Sequence, residues 1–302
     1  MKDTELNNRS AFSAVHPVAA LLFFAFALVM PMLLLHPVLL GISFAAAVVW
    51  SFLLRGKKQL GFLLKFVLPV MLLSALLNPV FNHAGVTVLF YLRYNPVTLE
   101  AVLYGLASAL MLGAVITWFT CFNAIFTSDK LIYLTGRLMP SFALVISMAL
   151  RFVPLFTRQA KRIALARRGA GMGTTGGNII ERAKNGLSIL SALITWSLES
   201  SVTTADSMRA RGYGLHPRTS FSNYRFDGRD AAILLFTALG AGCSGLAAGF
   251  GAASVRFFPS YRINACSPLF ILYAVLYAAV LLLPAALELY EAHKWHSSIS
   301  KI

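Results

Sequence analysis

Long apolar runs alternate with short polar segments along this chain, and their lengths predict membrane helices. A helix needs about 20 mostly apolar residues to cross the hydrocarbon core, at a rise of about 1.5 Å per residue. Six segments fit this template: residues 18–35, 38–54, 62–77, 101–119 with a continuation toward 126, 231–250 and 268–287. The pattern predicts an all-α integral membrane protein with about six transmembrane helices, four in residues 1–126 and two in residues 230–302.

The segment between the fourth and fifth spans, residues 127–229, has a different pattern. It holds fifteen basic side chains, and its apolar blocks are short or broken. Residues 141–156 are apolar but interrupted by Arg151 and Pro154, and a single crossing there would carry the basic stretch outside. We therefore expect an interfacial or core-packed helix. Residues 179–211 repeat apolar positions at the helical period, which predicts one long amphipathic helix that stops at Gly212.

Composition and charge support a membrane protein and set its orientation. The chain has 302 residues, 58% of them hydrophobic and 12% charged, with a formal net charge of +15. Basic loops beside apolar spans follow the positive-inside rule, so we expect no nucleic acid as a partner. All but three of the 26 Lys and Arg residues fall on the side predicted to be cytoplasmic. Both termini are expected there, and no signal peptide is evident.

Several kinds of chemistry have no pattern in the sequence. It contains no G-x-x-x-x-G-K-[ST] phosphate-binding loop, no H-E-x-x-H and no G-x-S-x-G. His293 and His296 share helical spacing but lack a third ligand nearby, so no metal site is expected. These observations predict a chain that is not an enzyme. Few ionisable groups lie within the spans, which disfavours a stand-alone secondary transporter, although Asn and Ser side chains leave that alternative open.

Two stretches share an unusual arrangement of arginine and glycine at a predicted helix end. They are LARRGAGMG at residues 165–173 and ADSMRARGYG at residues 205–214. Arginine in a last helical turn interacts favourably with the helix dipole, and glycine ends many helices without further function. An arginine at a helix end is also a good donor to an acidic or carbonyl-lined groove on a partner. The residues alone leave both explanations open.

The same stretches resemble a known family. Together with FTSDKLIYLTGRLMP at residues 126–140 and ALRFVPLF at residues 149–156, they are similar to the transmembrane T component of energy-coupling factor transporters, the EcfT/CbiQ family. This branch of the ABC transporters imports vitamins and metal ions such as cobalt and nickel in prokaryotes. The resemblance is strongest over residues 126–214. It implies a multi-pass protein of the inner or plasma membrane in which residues 127–229 form cytoplasmic coupling helices.

The resemblance also implies partners. It implies two ABC-type ATPase subunits in the cytosol and a separate small membrane subunit that binds the substrate. This chain would hold no cofactor itself, because ATP and Mg²⁺ would sit on the ATPases. It would act as a scaffold and a conformational relay within the lipid bilayer.

Residue roles follow from the matching positions. The ATPase-coupling residues implied by the family motifs are Arg168 and Gly169 on the first helix end, and Ala210, Arg211 and Gly212 on the second, with auxiliary contacts from Arg167 and Arg209. The first motif departs from the family, since Arg167 stands where alanine is usual. On the long amphipathic helix, an apolar surface near the membrane needs a cover, so Leu190, Ile194 and Trp196 are expected to dock the substrate-binding subunit.

Overall fold

The fold is helical, as the apolar runs predict. The computed structural model describes residues 10–92, 95–173, 178–213, 215, 224–251, 253–263 and 268–299. A 3₁₀ turn at Ala11–Ala14 precedes nine helices in this described part: α1 Pro17–Leu33, α2 Pro37–Arg55, α3 Lys57–Phe81, α4 Leu99–Ile125, α5 Ser128–Leu138, α6 Pro140–Gly169, α7 Ile179–Ala210, α8 Gly228–Gly249 and α9 Pro268–Ile299. Two antiparallel hairpins, β1 Val88–Leu92 with β2 Asn95–Thr98 and β3 Val255–Arg256 with β4 Arg262–Ile263, complete it.

The chain divides into two compact units. One contains Met1–Thr127 and Tyr224–Ile302, and therefore α1 to α4, α8 and α9 with both hairpins. The other contains Ser128–Asn223, and therefore α5, α6 and α7. The second unit interrupts the first in sequence, because the chain leaves the first unit after α4 and returns to it before α8.

Six helices of the described chain are long and apolar enough to cross a membrane: α2, α3, α4, α6, α8 and α9. Five of them coincide with predicted spans. The remaining predicted span, which is the first along the chain, is α1, a shorter apolar helix of 17 residues. The remaining candidate is α6, whose apolar half was expected not to cross.

The helix expected over residues 141–156 is part of the longer helix α6, whose apolar run is interrupted by Arg151 and Pro154 without ending the helix. Helix α6 continues through Pro154 to Gly169 without a break. Proline in a helix interior removes one hydrogen bond and crowds the preceding turn, which often kinks a helix without ending it. Helix α6 is 30 residues long and apolar enough to be a candidate span by length and composition.

Close packing between α3 and α4 depends on small residues along α4. Ala101, Gly105, Ala109 and Gly113 recur every four residues and are all buried. A Cβ at Gly105 would lie 2.8 Å from the carbonyl oxygen of Ala75 on α3, a contact too short for any side chain. Small residues allow two membrane helices to approach until their backbones touch, which maximises van der Waals contact where lipid removes the hydrophobic driving force.

An aromatic cluster fills the centre of the same unit. Phe23 and Phe24 of α1 contact Trp50 of α2, and Phe23 also meets Trp118 of α4 edge to face. The Trp118 indole Nε1 donates a hydrogen bond of 3.1 Å to the Ser43 hydroxyl, which satisfies its buried N–H. The cluster joins α1, α2 and α4, so one face of the short helix α1 is buried within this unit, which we call the membrane unit.

Polar contacts join three helices at the end of this unit that is predicted to be cytoplasmic. The backbone N–H of His16, just before α1, donates to the buried Asp230 carboxylate of α8 at 3.1 Å. Arg229 of α8 forms an ion pair with Glu291 of α9 at 2.6 Å. These contacts fix the start of α8, where the chain returns from the second unit.

We expect Gly105→Ala to destabilise the membrane unit by about 1–3 kcal/mol, because the added methyl group forces α3 and α4 apart. Gly242→Ala on α8 is the matched control, since a Cβ there meets no atom within 4 Å and alanine raises helix propensity. The melting temperature in detergent should fall for the first variant and stay equal or rise for the second. Equal melting temperatures for both variants would show that the close contact at Gly105 does not limit the stability of the membrane unit.

Candidate functional site: two arginine-bearing helix ends

The end of α6 is closed by two backbone hydrogen bonds around a glycine. Met172 N–H donates to the Arg167 carbonyl at 2.9 Å, and Gly171 N–H donates to the Arg168 carbonyl at 3.1 Å. Gly171 has a φ of +78°, a conformation that other residues adopt only with strain. This is a Schellman motif, in which the last free carbonyls of a helix are satisfied by its own chain.

The end of α7 repeats the same geometry. Tyr213 N–H donates to the Met208 carbonyl at 3.0 Å, Gly212 N–H donates to the Arg209 carbonyl at 3.0 Å, and Gly212 also has a φ of +78°. Both helix ends are therefore rigid, because their terminal carbonyls are satisfied by the chain itself.

The glycine that closes α6 is not the one in the Arg168-Gly169 motif. Gly169 is the last helical residue, and Gly171 takes the position that Gly212 occupies in α7. In sequence, Gly169 and Gly212 correspond, because each follows an arginine. The stretch GAGMG offers three glycines within five residues, and only the backbone conformation distinguishes which of them ends the helix.

Because of this difference, Arg168 and Arg211 lie at different distances from the glycine that closes their helix. Arg168 lies three residues before its closing glycine, whereas Arg211 lies immediately before Gly212. Counted from the cap, the residue equivalent to Arg168 is Arg209, and the residue equivalent to Arg211 is Ala170. At about 1.5 Å and 100° per residue, the two helix ends present their arginines at different heights and in different directions.

Three of the four arginines point into solvent. Arg168, Arg209 and Arg211 are exposed, and none has an ion pair or side-chain hydrogen bond within the described part of the chain. Arg167 differs, because it is half-buried and its Nη1 donates to the Ser188 hydroxyl of α7. The two adjacent arginines therefore differ. Arg167 holds α6 and α7 together, and Arg168 is exposed and accessible to a partner.

Helices α6 and α7 are antiparallel, which separates the two ends. Phe156 of α6 contacts Trp196 of α7 edge to face at 6.0 Å, while Arg167, near the end of α6, reaches back to Ser188. Arg211 lies 23 residues beyond Ser188, so the arginines of the two ends are about 35 Å apart along α7. A partner that meets both ends must present two binding sites at that spacing.

The start of α7 is capped strongly. Asn178 accepts a hydrogen bond from Ile179 N–H at 2.8 Å, and its own N–H donates to Glu181 at 3.3 Å, which completes a capping box. Asn185 donates to the Gly173 carbonyl at 3.0 Å and joins the start of α7 to the end of α6. In the sequence this cap is visible as N-x-x-E before an apolar run, a recognisable capping pattern.

Helix α7 carries an unpartnered apolar row, and the structure separates the predicted dock into two faces. No residue of α7 is fully buried, and five large apolar side chains at helical spacing are exposed: Leu187, Leu190, Ile194, Leu198 and Val202. Trp196 lies on the opposite side, against Phe156 of α6. Leu190 and Ile194, each half exposed, are thus on the open face, and Trp196 is part of the packing between α6 and α7.

The described residues contain no group of three or more His, Cys, Asp or Glu side chains placed to hold a metal ion. His293 lies exposed on α9, and the side chain of His296 is outside the described residues. The two helix ends present cationic side chains and α7 presents an apolar face, and both are suited to contacts with other proteins.

Comparison with known proteins supplies a family. The family model CbiQ, described as cobalt transport protein, matches residues 8–221, which include both helix ends and the first four spans. The match covers well over half of the chain.

Individual relatives agree with this match. The chain is 28% identical over 251 residues to the energy-coupling factor transporter transmembrane protein EcfT of Streptococcus equi, covering 78% of this chain and 88% of the relative. It is 26% identical over 218 residues to the EcfT protein of Brevibacillus brevis, covering 68% and 80%. An uncharacterised protein of Mycoplasma pneumoniae is 31% identical over 99 residues, which are 32% of this chain and 23% of that protein's length.

The cap geometry predicts which glycine matters at the end of α6. Gly171→Ala places a side chain at positive φ, which costs about 1–2 kcal/mol, so the last turn of α6 should fray and its amide hydrogens should exchange faster. Gly169→Ala changes a helical residue with no atom within 4 Å of the new methyl group, so exchange should be unchanged or slower. Faster exchange in Gly169→Ala alone would mean that the motif glycine, not Gly171, closes the helix.

Proposed function

We propose a function for this chain from one premise, that it belongs to the CbiQ family of cobalt transport proteins. It is a multi-pass membrane protein and a transmembrane component of an energy-coupling factor transporter, a transport subunit rather than a catalytic enzyme. In our proposal it couples two cytosolic ABC-type ATPases to a small substrate-binding membrane subunit. The assembly imports a vitamin or a transition-metal ion across the inner or plasma membrane of a prokaryote, with both termini of this chain in the cytoplasm.

The observation that carries this proposal is the pair of rigid helix ends. Arg168 on α6 and Arg211 on α7 each enter a groove on one ATPase, with Arg209 as an auxiliary contact. A guanidinium with five donors in a fixed plane suits an acidic or carbonyl-lined groove better than a flexible ammonium group does. Gly171 and Gly212 support this role, because each ends its helix within three residues of the arginine.

The separation of the helix ends suggests how force is transmitted. When ATP binding closes the ATPase pair, the two grooves move relative to each other, and the helix ends move with them. Because α6 and α7 are long helices joined by Arg167–Ser188 and Phe156–Trp196, motion at their ends is transmitted along their length. ATP and Mg²⁺ stay on the ATPases, since this chain has no phosphate-binding loop of its own.

The exposed apolar row of α7 is the proposed dock for the substrate-binding subunit. Leu190 and Ile194 lie at its centre, flanked by Leu187 and Leu198. A contiguous apolar surface of this kind is typical of a protein–protein contact. Substrate specificity then belongs to the docked subunit.

The first test is purification in mild detergent from cells that naturally make the protein, followed by mass spectrometry. Wild type should bring ATPases and small membrane proteins, and Arg168→Glu/Arg211→Glu should lose at least about tenfold of the ATPase signal, because reversing a buried interfacial charge costs several kcal/mol. The control is Lys57→Glu/Arg225→Glu, which makes the same change of net charge at exposed positions of the other compact unit.

Two results would contradict the coupling proposal. One is equal loss of ATPase in the control, which would indicate a non-specific charge effect. The other is transport by the reconstituted chain without any ATPase, which would identify a stand-alone secondary transporter.

The dock is tested by photocrosslinking from single positions on α7. A photoreactive phenylalanine analogue at Ile194 should crosslink to a small membrane protein, because this position is on the open face. The same analogue at Trp196 should crosslink within the chain, to α6 near Phe156. Crosslinks only to lipid from position 194 would exclude this face as the dock.

A further inference from the structure

Helix α6 carries a charge pattern that the coupling role does not use. It contains six basic residues and no acidic residue along 30 positions. Arg167 and Arg168 belong to the helix end, which leaves four cations upstream: Arg151, Arg158, Lys161 and Arg162. No carboxylate on α6 itself compensates them.

These four cations share one face of the helix. With Leu165 they recur at intervals of seven, ten, eleven and fourteen residues from Arg151, which is the spacing of a single helix side at about 100° per residue. We call Arg151, Arg158, Lys161, Arg162 and Leu165 the basic face. All five side chains are exposed, and none of the four cations forms an ion pair within the described part of the chain.

The basic face points away from the partner helix. Two of the α6 residues that contact α7, Phe156 and Arg167, lie about 160–180° round the helix from Arg158. Packing between α6 and α7 therefore leaves the basic face open. It extends about 21 Å from Arg151 to Leu165.

Apolar side chains accompany the cations. Leu155 is exposed beside them, Leu165 is 67% exposed among them, and the helix begins with an apolar half that meets the hydropathy criterion of a membrane span. A helix that carries several lysine and arginine residues together with exposed leucines, and no acidic residue, has the composition of a helix that binds a membrane surface. A solvated helix face more often alternates charges of both signs.

We propose that the basic face of α6 binds anionic phospholipid headgroups of the cytoplasmic leaflet. The leaflet carries negative charge on its lipids, which attracts basic segments next to a membrane. Leucines 155 and 165 insert at the boundary between headgroups and acyl chains, while the long arginine and lysine side chains extend to the phosphates. The contact anchors α6 along its length and leaves Arg168, at the helix end, for the ATPase. This inference does not depend on the coupling proposal, since it requires only a membrane and this chain.

The test measures access of water to Leu165→Cys in the full chain, reconstituted in nanodiscs. An uncharged, water-soluble maleimide is the probe, and labelling of the natural cysteines is measured on the unsubstituted chain and subtracted. Between phosphatidylcholine discs and discs with added phosphatidylglycerol, we expect the labelling rate to fall about fivefold. Salt at about 1 M should restore the rate, because it shortens the Debye length to about 3 Å.

Two controls locate the effect. Leu198→Cys on α7 has similar exposure, 65%, without neighbouring cations, and should label at equal rates in both kinds of disc. Leu165→Cys combined with Arg158→Gln/Lys161→Gln/Arg162→Gln should lose the lipid dependence. The comparison between lipids keeps all four cations of the basic face, so its result does not depend on the stability of the triple variant.

Three outcomes would overturn the proposal. Equal labelling of Leu165→Cys in both kinds of disc would mean that the face stays in water. A fall of the same size in the triple variant would exclude these cations as its cause. Protection that appears in phosphatidylcholine discs on addition of the purified ATPases, and not with phosphatidylglycerol, would assign the basic face to a protein partner.

Discussion

The need to satisfy every backbone amide within lipid determines most of this structure. An N–H or C=O group in the hydrocarbon core has no water to bind, so only helices serve as single spans. That requirement moves the unsatisfied groups to the helix ends, where each helix must be closed by its own chain or by a partner. Helices α6 and α7 both use a Schellman motif for this purpose, and the proposed function depends on those two ends.

Association between the spans uses interactions that lipid does not weaken. Gly105 lets α4 touch the backbone of α3, and the aromatic cluster around Trp50 and Trp118 joins α1, α2 and α4. By contrast, the unit formed by α5, α6 and α7 buries little, and α7 has no fully buried residue. One unit thus has a packed interior of its own, whereas the other consists of long helices with open faces, as expected of an element that works through contacts with partners.

The three exposed surfaces of this second unit suit different partners. Single arginines at rigid helix ends favour grooves with specific geometry, while the apolar row of α7 favours a broad contact. The basic face of α6 is neither a single arginine nor a purely apolar row, because its four cations are spread along about 21 Å and mixed with leucine. A lipid surface matches such a distribution, since headgroups adjust to the positions of the cations.

The sequence by itself determined five of the six long apolar helices, the long amphipathic helix α7 and the two arginine-bearing ends, because these depend on local periodicity and composition. The resemblance of motifs to the EcfT/CbiQ family, which the family match confirms, also came from local residue order. Tertiary structure decided what depends on backbone conformation or on a neighbouring helix. It showed that α6 continues through Pro154, that Gly171 and not Gly169 closes it, and that Arg167 and Trp196 face inward between α6 and α7. A glycine's φ angle and the direction of a side chain are set by hydrogen bonds and contacts between segments, so the pattern of residue types alone does not specify them.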